Sequence, residues 1–306
     1  MSPRNNKVVL QFIVLCGIII VPMKSLHIRS FAKINISLNI TKKRDDGFHE
    51  LDSVMLPIVL HDSLVISKLN NANDNFVTVD DFSIGTFSYN LATFSIEKLQ
   101  RIYHFNDKFR ILIHKVIPIQ AGLGGGSSNA ACTLKAVNTM LKLGASDEEL
   151  IDIAKTLGCD IPFFIKCKPA RVQGVGEVLT PITVKNNYYV LLVKPEAGCS
   201  TKEIYTISDS MDLKVTNIDN VVKALEEGND ELLAENISNA LQEPAIKVVP
   251  AIKTIIEELQ NEGLKMVQVT GSGSAVFALS TDKQLLKRVF KKLDDKYQVE
   301  LTKVMK

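Results

Sequence analysis

Residues 118–131 read PIQAGLGGGSSNAA, with Gly122, Gly124, Gly125 and Gly126 standing directly ahead of an Ala-containing helical pattern. Glycines let a backbone approach a ligand closely and turn its N–H groups toward it. The helix that follows is expected to take Ser127–Ala130 as its first turn and to stop at Gly144. Its N-terminus adds a positive partial charge, and Ser127 and Ser128 add hydroxyl donors, so the stretch suits a polyphosphate. Spacing excludes two common phosphate loops. The G-x-x-x-x-G-K-[ST] pattern fails because no Lys follows the last glycine, and G-x-G-x-x-G fails because Ser127 takes the third glycine position.

Working outward, FRILIHKV at 109–116 reads as a strand, and Leu91, Phe94, Leu99 and Ile102 give 90–104 a near-helical spacing. Further upstream, Ile34, Ile36, Leu38 and Ile40 alternate with Lys33, Asn35, Ser37 and Asn39. That period of two predicts a strand with one apolar face and with Lys33 and Asn35 together on the other. A turn is expected at Asp46-Gly47, an apolar stretch at 54–60, a separate strand at 63–67, and loops with short strands over 69–90. Downstream, Ser146 with Glu149 forms a capping-box pattern for a helix ending at Gly158. A hairpin over 170–182 and a buried-type strand at 188–193 follow. Beyond about residue 183 come helices at 217–227, 230–240 and 250–262, strands at 266–269 and 275–279, a helix at 282–294 and a strand at 297–304. Helices and strands intermix without strict βα alternation, which predicts an α+β fold rather than a doubly wound sheet.

The chain has 306 residues, enough for roughly two domains at about 150 residues each. Thirty-six basic and 34 acidic residues give a net charge of +2, so no nucleic-acid footprint is expected. Five cysteines, at 16, 132, 159, 167 and 199, show no C-x-x-C spacing, and the five histidines do not cluster. Zinc and a disulfide framework are therefore not expected, and reduced cytoplasmic thiols are.

Residues 8–21 read VVLQFIVLCGIIIV behind Arg4 and Lys7, like a signal-peptide core. The run is short for a membrane span of about 20 residues, and no small-x-small cleavage site follows. A start at Met23 is the expected reading, with an uncleaved anchor or an extra packed segment as competitors. With that start, no stable membrane association is expected.

A polyphosphate loop suits phosphoryl transfer, which needs a phosphate cradle, a group that takes the acceptor's proton and positive charge beside the moving phosphoryl group. Asp160, between a helix stop and Pro162, is the candidate base, and Lys33 the candidate charge. From the residues alone, the pair reads equally well as a structural salt bridge.

Three motifs in order break that tie. FAKINISLNI at 31–40, PIQAGLGGGSSNAA at 118–131 and VTGSGSAVFAL at 269–279 resemble the motifs of the GHMP kinases. RDDGFHEL at 44–51 and LGCDIPFF at 157–164 resemble a branch of that family acting on a cytidine-diphosphate sugar alcohol. The resemblance runs from about residue 28 to 306. It implies a GHMP-kinase-like two-domain fold with a cleft between domains, divided as an extension at 1–22, an N-terminal domain at 23–182 and a C-terminal domain at 183–306. It implies ATP-dependent phosphorylation of the acceptor's 2-hydroxyl in non-mevalonate isoprenoid precursor synthesis, by a cytoplasmic transferase. Lys33 and Asp160 would be catalytic. Pro118, Gly122, Leu123, Gly124, Gly125, Gly126, Ser127 and Ser128 would bind ATP.

On the acceptor side, the resemblance implies that Phe48 stacks on cytosine, His49 hydrogen-bonds it and Tyr205 closes the sandwich. Most members carry Tyr where Phe48 stands; Phe keeps the π face. Asn35, Gly271, Ser272 and Gly273 complete the substrate set, and Asn90 and Lys115 are candidates for the adenine side. Magnesium is expected with ATP, with no residue assigned to it beyond possible contact by Ser127 or Ser128. The competing readings are a non-catalytic nucleotide sensor of the same family and a kinase for another small alcohol.

Overall fold

Alternating Ile and polar residues build the first strand, β1 (Ser25–Lys43), which pairs antiparallel along its length with β2 (His49–Leu69). The computed structural model describes residues 25–80 and 90–306, so the apolar run at 8–21 lies outside the described residues. The strand expected at 63–67 is not separate from the apolar stretch before it, because the backbone continues through Leu60–Asp62 as one strand. The chain continues through β3 (Phe76–Val79), α1 (Leu91–Tyr103), β4 (Lys108–His114), α2 (Gly125–Leu141), α3 (Asp147–Lys155), α4 (Ile161–Lys166), β5 (Ala170–Gly174) and β6 (Val178–Pro181). The free edge of β2 is shared, pairing with β4 over Ser63–Leu69 and with β5 over Leu51–Met55. Among the described residues this makes a six-stranded sheet in which only β3 runs parallel to its neighbour, β4.

The second half contributes β7 (Tyr189–Lys194), α5 (Thr201–Ser208), α6 (Ile218–Glu227), α7 (Asp230–Asn236), α8 (Gln242–Val248), α9 (Ala251–Asn261), β8 (Met266–Val269), β9 (Val276–Ser280), α10 (Lys283–Leu293) and β10 (Gln298–Lys303). Its strands form an antiparallel sheet in the order β10-β7-β9-β8. The α+β expectation holds. The helix expected to reach residue 240 ends at Asn236, whose successor Ile237 adopts extended backbone. α5 and α8, eight and seven residues long, were not expected.

β1 serves two cores. Ile34 and Ile36 pack with Val190, Leu192 and Phe277, while Leu38 joins Leu191, Val193 and Val269, with Ile40 packed against that second group. A register shift between Asn35 and Ser37 separates the two sets. An extra residue in a strand re-aims the side chains beyond it, so the single apolar face expected from the alternation is divided. The polar face is buried too: Lys33 is 2 % exposed and Asn35 0 %. A third core lies under α1 to α4, where Ile96, Leu134, Ala154 and Phe163 meet Ile66 and Ile111 of the large sheet.

The chain's far end returns to β2. Thr302 accepts from Leu60 N–H, Val304 bridges Ile58, and Met305 N–H donates to Pro57 O. No helix among the described residues is long and apolar enough to cross a membrane.

Candidate active site

The Gly-rich loop enters α2 through left-handed backbone at Gln120, Gly122 and Gly124. At Gly122 (φ +73°) an added Cβ would stand 1.9 Å from Thr270 O, so only glycine lets the loop lie against the 270–273 turn. At Gly124 (φ +71°) a Cβ would stand 2.7 Å from the Phe164 ring. Gly124 serves as N-cap without a side-chain hydrogen bond, and Ser128 N–H already donates to its carbonyl. The helix therefore begins at Gly125, two residues before the expected first turn. The N–H groups of Gly125, Gly126 and Ser127 precede the first intrahelical bond and lack acceptors within the helix. All three residues line a cleft of about 1050 Å³.

Lys33 reaches this cleft from the buried polar face of β1. Its Nζ donates to Asn35 Oδ1 at 2.5 Å and lies 3.6 Å from Asp160 Oδ2. Asn35 is fixed in turn: its Nδ2 donates to Ser53 Oγ (2.8 Å), and its backbone N–H donates to Thr270 Oγ1 (3.0 Å). Thr270 Oγ1 donates onward to Gly122 O (3.3 Å), and Lys33 N–H donates to Leu123 O (3.0 Å). Strand, phosphate-type loop and C-terminal turn are thus tied at one junction. Asp160 follows the helix stop as expected, and the segment it begins is a further helix: it is the N-cap of α4, with Pro162 in the first turn. Its side chain is one-third exposed, open enough to meet a ligand. The charge of Asp160 also pushes the Tyr205 hydroxyl upward in pKa, behind the larger effect of burial, so the two residues sense each other across the cleft.

At the other end, the 44–48 turn presents an exposed Phe48 ring, its N–H held by Asp46 Oδ1. His49 is nearly enclosed. Its ring lies 4.9 Å from that of Tyr205, tilted by 35°, and its Nε2 lies 2.6 Å from Asp209 Oδ1. Lys43 Nζ donates to Asp209 Oδ2 at 2.5 Å. Hydrogen bonds from Lys43 first and His49 second hold the Asp209 carboxyl below its usual range.

Most of the expected set shares the cleft: Lys33, Asn35, Phe48, His49, Pro118, Gly122 to Ser127, Asp160, Tyr205, Gly271 and Ser272 all line it. Ser128 and Gly273 do not. Ser128 turns inward, 1 % exposed, and its Oγ accepts from Ser30 Oγ. Gly273 faces away from the cleft, where an added Cβ would meet Cys199 and Ala245. Asn90 lines the cleft, but its carboxamide oxygen is spent capping α1 through Ala92 N–H. Lys115 also lines it, paired with the fully buried Asp62 at 2.6 Å. The sequence reading missed Thr270, Asp209 and Lys43. Among the described residues no group of three or more His, Cys, Asp or Glu is placed to hold a metal ion.

A glycine loop feeding a helix N-terminus, a buried Lys beside a one-third exposed Asp, and α5 with the 271–272 turn lining the same cleft are the features of one class. The profile described as GHMP kinases N terminal domain matches residues 90–168, and GHMP kinases C terminal matches 221–299. The chain belongs to the GHMP kinases. Among its relatives, the 4-diphosphocytidyl-2-C-methyl-D-erythritol kinase of Clostridium perfringens (strain 13 / Type A) is 32% identical over 274 residues, covering 89% of this chain and 95% of that protein. The kinase of the same name from Acetivibrio thermocellus is 36% identical over 263 residues, covering 84% and 90%. The crystal structure of 4-(cytidine 5'-diphospho)-2C-methyl-D-erythritol kinase superposes with a TM-score of 0.75 at 27% identity, covering 92% of this chain and all of that one.

Proposed function

We infer that this chain transfers the γ-phosphoryl group of ATP to the 2-hydroxyl of 4-diphosphocytidyl-2-C-methyl-D-erythritol, in the non-mevalonate route to isoprenoid precursors. The carrying observation is that the Lys33–Asp160 pair, the open N–H groups of α2 and the Phe48–His49–Tyr205 group line one cleft. In this reading, the N–H groups of Gly125 to Ser127 receive the nucleotide's phosphates, with the helix N-terminus adding partial positive charge. Asp160 accepts the acceptor's hydroxyl proton as that oxygen bonds to the γ-phosphorus and the bond to the ADP oxygen breaks. Lys33, 3.6 Å from Asp160, holds that carboxylate in place and offers charge to the transferring group. Asn35 orients the Lys33 ammonium through its 2.5 Å contact. Phe48 and Tyr205 hold the pyrimidine, and His49 hydrogen-bonds its edge.

Magnesium suits this site as a companion of the nucleotide. A hard cation takes oxygen ligands and keeps several waters, and the hydroxyl at the loop that is open to the cleft belongs to Ser127, Ser128 being turned away. When bound, the ion neutralises phosphate charge. The reaction is placed in the cytoplasm, with reduced cysteines.

The test is ADP formation with the cytidyl acceptor beside homoserine and mevalonate, with Asp160→Ala as control. Turnover restricted to the cytidyl acceptor and lost in the variant is expected. A preference for another alcohol, or none at all from a folded protein that still binds ATP, overturns the reading.

A further inference from the structure

We propose that Asp209 sets which pyrimidine the cleft accepts, by fixing His49 as the tautomer that carries its proton on Nε2 and offers the Nδ1 lone pair to the ligand. The inference rests on the cytidine reading above and deepens it. Neutral imidazole has one N–H donor and one acceptor nitrogen, and which is which follows from the partner of the other. An ionised carboxylate only accepts. Asp209 is such a partner: one oxygen faces Lys43 Nζ at 2.5 Å and the other faces His49 Nε2 at 2.6 Å. Nε2 must therefore donate. Nδ1 makes no hydrogen bond with the described residues, and its ring belongs to a residue that lines the cleft, which leaves that nitrogen for the ligand.

The ring has little freedom to turn away. Tyr205 and Asp209 stand four residues apart at the end of α5, joined by the bond from Asp209 N–H to Tyr205 O. One presses the imidazole face and the other holds its edge, while the side chain is only 9 % exposed. The reading edge of the pocket is thus a wall preset before any ligand arrives. Cytosine carries an amino donor at position 4, where uracil carries a carbonyl acceptor. A fixed Nδ1 lone pair attracts the first and repels the second. A site built around a specific hydrogen bond rejects analogues that cannot make it, because its own polar group is left unpaired.

The experiment compares kcat/KM for the cytidine-diphosphate acceptor and its uridine counterpart in the full chain, the Asp209→Asn variant and the Asp209→Ala variant. Nitrogen NMR of histidine-labelled protein reads the His49 tautomer in each. A carboxamide can donate to Nε2, which frees Nδ1 to carry the proton. Asp209→Asn should therefore lower the cytidine-to-uridine ratio by about tenfold or more, mainly through KM, and move the His49 proton toward Nδ1. Asp209→Ala should lower the ratio less and leave mixed tautomers. An unchanged ratio, a changed ratio without a tautomer change, or a wild-type His49 already protonated on Nδ1 would overturn the proposal. Wild-type protein inactive on both acceptors would instead sink the functional reading, with the NMR arm still deciding the role of Asp209.

Discussion

Asp62→Ala removes a carboxylate that no solvent reaches. Its Oδ1 accepts from the N–H groups of Val116 and Ile117, both at 2.8 Å, and its Oδ2 accepts from Lys115 Nζ at 2.6 Å. Alanine replaces none of these. Each buried N–H left unpaired costs about 1–3 kcal/mol, and breaking a buried ion pair by deleting one partner costs about 3–5 kcal/mol. These figures overlap, because the Lys115 side chain, 10 % exposed, can swing toward water. A loss of about 4 kcal/mol is therefore expected from urea unfolding, a large share of a stability of about 5–15 kcal/mol. Asp62→Asn should cost less, since its oxygen can still serve both backbone donors. Lys115→Met combined with Asp62→Ala should be less damaging than the sum of the single changes, because the uncompensated ammonium is gone. The 115–117 segment leads into the Gly-rich loop, so KM for ATP should rise in Asp62→Ala. A loss under about 1 kcal/mol, or strict additivity in the double variant, would refute the reasoning that this carboxylate organises the segment.

Other expectations follow from single contacts. Gly122→Ala sets a Cβ 1.9 Å from Thr270 O at φ +73°, so the loop must leave the 270–273 turn; calorimetry should show ATP affinity falling at least about tenfold, by analogy with other strained backbone sites. Lys33→Met keeps the length of the side chain and removes its charge; kcat should fall by about 100-fold or more with ATP binding retained, and a kcat within threefold of wild type, roughly the scatter of such assays, would exclude an electrostatic role. The Asp209 carboxyl is held below its unfolded pKa of about 3.9, so its contribution to stability is present above that pH and lost as pH falls through the depressed value. Acid titration of Asp209→Asn should accordingly show a shallower loss of stability below about pH 4 than wild type.

Much of this was legible because the phosphate loop is local: four glycines and a helix start declare themselves within ten residues. The capping box at Ser146 was legible for the same reason, and both of its hydrogen bonds form. The division of β1 between two cores was not, because a bulge changes pairing register without interrupting the alternation of residue types. The row Lys33, Asn35, Ser37 and Asn39 reads as a wet face, and its cover of residues from both halves makes it a dry one. Asp209 and Lys43 sit in polar runs, SDSMD and TKKRDD, that look like ordinary solvated chain. Their meaning comes from meeting each other across 166 residues. Ser128 and Gly273 show the converse, since membership of a motif does not say which way a residue turns.

The return of the chain's far end to β2 bears on how the molecule is made. Leu60 waits for Thr302, 242 residues later, to receive its N–H, and Pro57 waits for Met305. During translation the large sheet therefore emerges with a stretch of β2 backbone unpaired until the residue 242 positions further on has been made. Contacts so far apart in sequence form late and carry a high loop-closure cost. The two halves are consequently joined in time as well as in space: the fastening strand leaves the ribosome long after β2, and the nascent chain must hold that edge open, shielded from wrong partners, until it arrives.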